Sequence, residues 1–566
     1  MRLTLVLGLL ALALPPSTRA LPAPSPSIRL NSLGYLPNWR KRASILEADK
    51  ASAWHLCRST DDHVVAHGAL SEAASDPDTG ESIKTADFSR FLGSGSYYLD
   101  IPGLGRSQAF DISPTAYHDA LRASMLGFYG WRCGTAVFFT YKGQDFGHEA
   151  CHLDDGHLDK LGQPGQRRDG TGGWHDAGDY NKYTVNSGVS VGCMLQAWQD
   201  FEASLKALKL PFIPETGGAL PDYLAELKWQ LDWVLKMQYG PTDGRVSHKL
   251  SALRFDAFEL PEKETAERYF SPYSTAATAD FVAMTAKAAR VYAPYDATFT
   301  ARCRNAALLS WQTLLAAPGD VPADQTGFST GQYGTVEPGA RLWAAAEVWE
   351  LTGEAKALHE LERLLRLQPK LCDEDWDWSS QKNLGVFVYV ASQRAGRDAA
   401  LLASVKDALL AAADARVEGS QASGYGRSLV GKYYWGSNGS VARSALVLAA
   451  AERLSHKRIY LETAVDQAAY LFGRNYYGRS QVTGLGSDPP LHPHHRPSGG
   501  DNVDAPWPGY LVGGGLSATG WTDVQGDFRT NEVALNWNAA LVYLLALCDQ
   551  LPHDAGAEGA PFQHQP

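Results

Sequence analysis

From residue 28 to about residue 112 the apolar positions come in short alternating runs. Residues 28–30, 42–46, 54–57, 63–66, 96–101 and 108–112 each read as a strand, with turn-rich stretches between them. This spacing predicts a small all-β sandwich. At Tyr117 the period changes. Pro221 and Asp222 open a run in which Leu224, Leu227, Leu231, Val234 and Leu235 share one helix face. Comparable amphipathic runs lie near 117–129, 187–208, 274–292, 299–316, 342–351, 357–367, 384–394, 399–413, 440–454, 460–472 and 532–547. About a dozen helices with little strand predict a second, all-α domain of roughly 450 residues.

The boundaries expected from this pattern are 26–113 for the sandwich and 114–550 for the helical domain. Residues 1–20 read as a secretory signal: Arg2, an apolar run from Leu3 to Leu14, then Thr18-Arg19-Ala20 as a small-residue cleavage site. That run is too short to span a membrane, and no later one is long enough. The mature chain is therefore expected outside the cytoplasm, in the periplasm or the medium. Residues 551–566 contain Gly, Ala and Pro and are expected to be a disordered tail.

A length of 566 residues accommodates two domains with a large core. The net charge of −11 argues against nucleic acid and anionic membranes as partners. Seven cysteines cannot all pair, and in so large a chain they are not a disulfide framework. Sixteen Trp and 25 Tyr offer flat faces of the kind sugar rings stack on, although helical cores pack such residues too.

The candidate chemistry clusters in three places. Asp176 and Asp179 stand three residues apart among Gly172, Gly173, Gly178, Trp174, Tyr180 and Tyr183. Pro493-His494-His495-Arg496 follows much later. Trp521-Thr522-Asp523, Phe528 and the segment Asn531-Glu532-Val533-Ala534-Leu535-Asn536-Trp537-Asn538-Ala539 come last. Carboxylates from distant segments, with His, Arg and aromatics, are the parts needed to hydrolyse a glycosidic bond. One carboxyl protonates the leaving oxygen, and the other acts as nucleophile or activates water.

These segments, in this order, resemble glycoside hydrolase family 9, mainly cellulases, and the resemblance runs from about Tyr117 to Leu547. The opening stretch Ile28 to Pro37 resembles the immunoglobulin-like module that precedes many catalytic domains of the family. The resemblance implies an (α/α)6 barrel, six helix pairs in a ring with the site on the connecting loops, and an inverting reaction. It assigns Glu532 as general acid, Asp179 as base and Asp176 as a second holder of the water. Asp523 matches the other acidic position and is expected to support the site. His494 and Arg496 match a pair that hydrogen-bonds sugar hydroxyls. His248, Trp376, Trp435 and Trp537 sit in segments that resemble cleft-lining parts and are candidate substrate contacts. Asp488 departs from the Asn, Lys or Arg usual in its place, which affects a local loop contact.

Cys133, Cys151, His152 and His175 are candidate metal ligands, since two Cys and two His can make a closed tetrahedral zinc site of the structural kind. Some family members with the module carry such a site; Cys133, Cys151 and His152 resemble its ligands, and His175 is the choice for the fourth. A Cys133–Cys151 disulfide is the rival reading, which export permits. Calcium is also common in the family. The usual Asp-Glu pair ahead of a Trp-Ala-Ala helix is missing here, where Gly339-Ala340-Arg341-Leu342-Trp343 stands. Asp501 and Asp504 are the remaining calcium candidates. The expected protein is a secreted, monomeric, inverting endo-β-1,4-glucanase acting on cellulose or related β-glucans. An exo-acting enzyme on cellodextrins or amino-sugar oligomers, and a carbohydrate-binding protein without activity, are the alternatives.

Overall fold

A computed structural model describes residues 23–48, 51–334 and 337–554, so the signal expected at 1–20 lies outside the described residues. The amino-terminal module holds strands β1 (Ile28–Arg29), β2 (Arg42–Ile45), β3 (Ala53–Arg58), β4 (Val64–Ala69), β5 (Ala74–Ser75), β6 (Ser82–Asp87), β7 (Gly95–Ile101), β8 (Gly105–Arg106) and β9 (Phe110–Ile112). They form two antiparallel sheets, ordered β1-β2-β6-β5 and β4-β3-β7-β8, with β9 pairing on β7. Tyr35, Trp54, Leu56, Phe88, Leu99, Phe110 and Ile112 fill the space between them.

Strand β6 was not expected from the sequence. Its two buried apolar residues, Ile83 and Ala86, are three apart and so face opposite sides of the strand. Ala86 enters the sandwich core and Ile83 enters the helical core. A strand buried on both faces by different partners shows no simple alternation.

Ile83 therefore marks the joint between the two parts. Its side chain packs on Gly424, where an added Cβ would stand 2.7 Å from the Ile83 Cδ1 atom. Around it, Ser44 Oγ donates to Gly424 O at 2.6 Å, and Asp76 accepts from Ser423 Oγ at 3.0 Å and Gly424 N at 2.9 Å. Arg40 bridges Glu462 at 2.6 Å and Asp466 at 2.8 Å. Leu36, Trp39 and Leu46 also pack into the helical core. Removing the module would expose this apolar contact and leave buried polar groups unpaired, both costly. A chain lacking residues 23–112 is thus expected to melt several degrees lower; an unchanged melting temperature would contradict the docked arrangement.

The helical part begins with α1 (His118–Gly130) and the hairpin β10 (Val137–Tyr141) and β11 (Gln144–His148). Next come β12 (Lys182–Tyr183), α2 (Thr184–Asp200), α3 (Glu202–Ala207), α4 (Asp222–Lys236), β13 (Gln238–Gly240), β14 (Asp243–Val246), β15 (Lys249–Ala252) and β16 (Arg268–Phe270). Then follow α5 (Thr275–Val291), α6 (Ala297–Ala316), α7 (Glu337–Thr352), α8 (Ala355–Arg366), α9 (Lys382–Ala391), α10 (Ala399–Ala422), α11 (Ser437–Ser455) and α12 (Arg458–Leu471). The chain closes with α13 (Arg496–Gly500), α14 (Phe528–Asn531) and α15 (Leu535–Asp554).

Twelve of these helices form the (α/α)6 barrel. Helices α2, α5, α7, α9, α11 and α15 make the inner ring: α2 packs on α5, α5 on α7, α7 on α9, α11 on α15, and α15 back on α2. Arg443 of α11 ties the ring to the start of α9, by an ion pair to Asp377 at 2.7 Å and a bond to Trp376 O at 3.0 Å. Inner helices are buried nearly all round, as in α5, whereas the outer α10 buries one stripe.

Three boundaries differ from the periodicity. The run at 187–208 is two helices, because Phe201 leaves helical geometry (φ −136°, ψ 39°). The run from 399 continues to Ala422, since Arg416, Val417 and Ser420 extend its buried stripe. The run at 532 starts as a helix only at Leu535 and reaches Asp554, past the expected start of the tail. Residues 555–566 of that tail lie outside the described residues. Among the described residues no helix is long and apolar enough to cross a membrane.

Candidate active site

The three motif segments, distant in sequence, are tied to one another through their backbones. Gly178 O accepts Arg496 N at 3.0 Å and the Arg496 Nη1 at 2.9 Å. Only glycine fits at 178, because a Cβ there would stand 2.1 Å from His494 O. His494 N donates to Asn531 O at 2.8 Å, Gly513 N to Glu532 O at 2.8 Å, and Leu535 N to Asp176 O at 2.9 Å. Glu532 is extended (φ −71°, ψ 159°) in the gap between α14 and α15. It is buried rather than a surface acid at a helix start.

Asp176 is buried and accepts from Asn186 Nδ2 at 2.8 Å and from Tyr333 OH at 2.5 Å. Burial and the neighbouring Asp179 carboxylate push its pKa well up, against these two donors. Asp179 accepts from Asn181 Nδ2 at 2.6 Å and Tyr183 OH at 3.5 Å. Its pKa is raised by burial, while the Arg496 guanidinium and the Asn181 amide pull the other way. Glu532 is pushed well above the usual carboxylate range, first by burial and then by the charges of Asp179 and Asp176. All three carboxyls are raised, and it is at Asp179 that the Arg496 charge and the Asn181 amide favour the anion that a base requires.

The other candidates divide by what their polar atoms touch. His494 Nδ1 faces Gln525 O at 2.8 Å; a carbonyl only accepts, so the proton sits on Nδ1 and Nε2 is left as an acceptor. The ring lies edge-on to Phe258, with centroids 5.0 Å apart, and 6.0 Å from Phe528.

Arg496 has a second duty. Its guanidinium donates to Gly178 O and twice to Asp256 O, at 2.9 and 3.0 Å, so three of its five N–H donors clamp two loops. His248 corrects an expectation. Its Nδ1 pairs with Ser274 Oγ at 2.8 Å and its Nε2 with Gln332 O at 2.7 Å. Nε2 holds the loop that carries Tyr333 and Nδ1 the start of α5, and burial lowers the ring's pKa to about 4. Asp523 accepts from Leu491 N, His492 N, Asn531 Nδ2 and Arg479, which fixes the approach to His494.

Of the three tryptophans, only Trp435 offers a face, being 49% exposed and edge-on to Phe528, itself 41% exposed. Trp376 and Trp537, each 5% exposed, belong to the core. Trp376 packs under Arg443, and Trp537 against the glycines at 436, 439 and 513. Sequence reasoning missed Tyr333, Asn186, Phe255 and Phe258. Phe255 is exposed, and Arg496 lies 5.7 Å from its ring and 5.5 Å from that of Phe258. Tyr333, Phe255 and Phe258 sit in no periodic or motif-like stretch that could have flagged them, whereas Asn186 lies in α2, just after the aspartate segment.

Cys133, Cys151, His152 and His175 do come together, with one donor atom from each all within 4.8 Å of one another. Cys133 Sγ stands 3.5 Å from His152 Nδ1, and Cys151 Sγ 3.8 Å from His175 Nε2. Tetrahedral zinc with ordinary Zn–S and Zn–N lengths sets its ligands about 3.3–3.8 Å apart. The set therefore fits that ion. His152 Nε2 meets Glu264 Oε2 at 2.9 Å, which turns Nδ1 toward the other donors. All seven cysteines are free thiols, so the Cys133–Cys151 disulfide does not form here.

At the calcium candidates, the Asp501 carboxylate accepts from Val503 N at 3.0 Å and Trp507 Nε1 at 2.7 Å, and Asp504 is exposed. Among the described residues no other group of three or more such side chains gathers in this way. At the other family calcium position, Arg341 donates to the carbonyls of Leu314, Ala317 and Gly319, so a guanidinium serves those oxygens.

An (α/α)6 barrel carrying this carboxylate patch is a glycoside hydrolase. The profile described as glycosyl hydrolase family 9 matches residues 117–545, and that of the cellulase N-terminal ig-like domain matches 23–106. The chain belongs to glycosyl hydrolase family 9. It is 47% identical over 521 residues to Endoglucanase D of Acetivibrio thermocellus, covering 92% of this chain and 83% of the relative. It is 32% identical to a xyloglucan-specific endo-beta-1,4-glucanase of Bacteroides ovatus, covering 96% and 97%. Among solved structures, a metagenome-derived family 9 endoglucanase superposes with TM-score 0.86 at 31% identity, over 92% of this chain and 99% of that one. A zinc-binding triple mutant of the family 9 endoglucanase J30 superposes with TM-score 0.83 at 30% identity, over 90% and 99%.

Proposed function

We propose that this chain is an exported, monomeric endo-β-1,4-glucanase that hydrolyses cellulose or a related β-glucan with inversion. The observation that carries the reading is the meeting of Glu532 with the Asp176–Asp179 pair in one buried patch. Glu532, kept protonated by burial and by its acidic neighbours, gives its proton to the leaving glycosidic oxygen. Asp179 takes a proton from the water that attacks the anomeric carbon from the opposite face. Asp176, held by Tyr333 and Asn186, orients that water. The cycle leaves Glu532 ionised and Asp179 protonated, and a proton returns through solvent. His494 Nε2 accepts a sugar hydroxyl, and Trp435 with Phe528 and Phe258 offers flat faces to neighbouring rings.

Two relatives 47% identical to this chain carry the name Endoglucanase D, which supports endo action. On a soluble cellulose derivative, viscosity should fall well before reducing ends accumulate. A proportional rise of reducing ends at constant viscosity would favour exo action. Zinc held by Cys133, Cys151, His152 and His175 would have no open coordination position and would serve as a structural cross-link.

The electrostatics also set the pH profile. Activity needs protonated Glu532, so it falls as pH rises through the pKa of that group. The Asp176 charge is one of the forces raising that pKa. Asp176→Asn removes the charge and lowers it. The residual activity of Asp176→Asn should therefore lose its alkaline limb at lower pH than the wild type. A limb that stays in place or moves to higher pH would contradict the assignment of Glu532 as the acid.

A further inference from the structure

The segment carrying both aspartates begins and ends at the metal cluster. His175, one of the four donors, directly precedes Asp176. Lys182, the first residue of β12, lies three positions beyond Asp179, and its side chain turns back to the same cluster. Lys182 Nζ stands 3.5 Å from Cys133 Sγ, 3.0 Å from Asp155 Oδ2, 2.7 Å from Gly170 O and 2.9 Å from Gly172 O. The side chain is fully buried, and Asp155 is buried with it.

These partners are spread over every piece of chain that builds the metal site. Cys133 is itself a donor. Asp155 follows Cys151 and His152. Gly170 and Gly172 belong to the strand of chain leading to His175. A buried ammonium is costly unless paired and hydrogen-bonded, and here it gathers a thiolate, a carboxylate and two carbonyls. The neighbours of Lys182 point the other way. Asn181 donates to Asp179 at 2.6 Å and accepts Ala252 N at 2.9 Å, and Tyr183 OH reaches Asp179 at 3.5 Å.

We infer that Lys182 is a positioning residue for the catalytic base: it pins the far end of the loop 175–183 onto the metal-bound Cys133 thiolate, so that the loop is clamped on the metal centre at both ends. The inference rests on the zinc reading above. The Asp179 side of the loop is also held by the pairing of β12 with β15, by Ala252 N on Asn181 Oδ1 and by Arg268 on Tyr180 O, but among these bonds only those of Lys182 reach the metal cluster. A second anchor fixes Asp179 between two points of one rigid centre, and small misplacements of a catalytic group are expensive.

The test is Lys182→Met, which keeps side-chain length and removes the charge and donors. Zinc release to a coloured chelator is followed on the full-length holoenzyme, and kcat and KM are measured with zinc in excess. Weaker zinc binding by about 10–100-fold is expected, as for other groups that support metal ligands. With zinc saturating, kcat should still be lower by at least roughly tenfold while KM changes little, since the base is misplaced but the sugar contacts remain. Zinc held as tightly as in the wild type, or full kcat once zinc is restored, would overturn the inference.

Should the variant fail to fold, hydrogen exchange of the wild type with and without chelator decides. Stripping zinc should loosen the amides of Lys182 and Tyr183 along with those beside the ligands; unchanged protection at 182–183 overturns the clamp. Wild-type enzyme that purifies without zinc would instead overturn the metal reading on which the clamp rests.

Discussion

Glu532→Gln and Asp179→Asn should each lower kcat by about 10²–10⁴-fold, the usual contribution of a general acid or base, while leaving the fold and ligand binding largely intact. Both changes keep side-chain size and remove only the proton-transfer function. Glu532 is buried, and its backbone carbonyl, which the change does not touch, holds Gly513. Its carboxyl meets the Gly178 backbone amide, a bond that the glutamine Oε1 can still accept. At position 179 the amide of asparagine can still meet Asn181 and Tyr183, so a loss of activity there reports on chemistry. The contrast with Asp523 is informative. Asp523→Asn would disturb the 491–492 backbone and lower stability along with activity, because the carboxylate accepts from both of those amides. Near-normal turnover by folded Glu532→Gln or Asp179→Asn would remove that residue from its assigned role.

Cys151→Ser should lose the metal, lower the melting temperature and reduce turnover together. Structural zinc sites contribute directly to folding free energy, and a serine hydroxyl is a poor replacement for a thiolate ligand. Two of the backbone pieces that meet there are already joined: Cys133 N donates to Gly173 O at 2.7 Å and His175 N to Trp131 O at 2.8 Å. Losing the metal leaves these bonds but removes the cross-link beneath Asp176. The effect on activity is thus indirect, through the placement of Asp176 and Asp179. Elemental analysis of the purified wild type should give one zinc per chain. A value near zero, with Cys133 and Cys151 protected from alkylation until reduced, would contradict this and restore the disulfide.

What the sequence conveyed depended on whether a residue's role is local. Asp176, Asp179 and Glu532 were legible because each sits in a compact run of small, aromatic and acidic residues. The change of hydrophobic period at Tyr117 separated a β part from a helical one because many residues contribute to it. Strand β6 was not legible, since Ile83 and Ala86 serve two different cores. Trp376 and Trp537 were misjudged for a related reason: an aromatic residue in a cleft-like segment does not reveal which way its ring turns. His248 looks like a sugar ligand in sequence, yet both its nitrogens are taken by Ser274 and Gln332, and Arg496 also clamps Gly178 and Asp256. Tyr333 had no local signal at all. It reaches Asp176 only because His248 and Lys249 hold the preceding loop through Gln332 and Gly331.

The central claim is that Glu532 and Asp179 work from opposite faces of the sugar, as acid and base around a water molecule. Time-resolved proton NMR of a cello-oligosaccharide during the first moments of hydrolysis tests it most directly. Inversion of a β-linkage must deliver the α-hemiacetal first, with the β-anomer appearing only as mutarotation proceeds. A β-anomer that accumulates first would mean a covalent intermediate and a retaining mechanism, and would contradict the account.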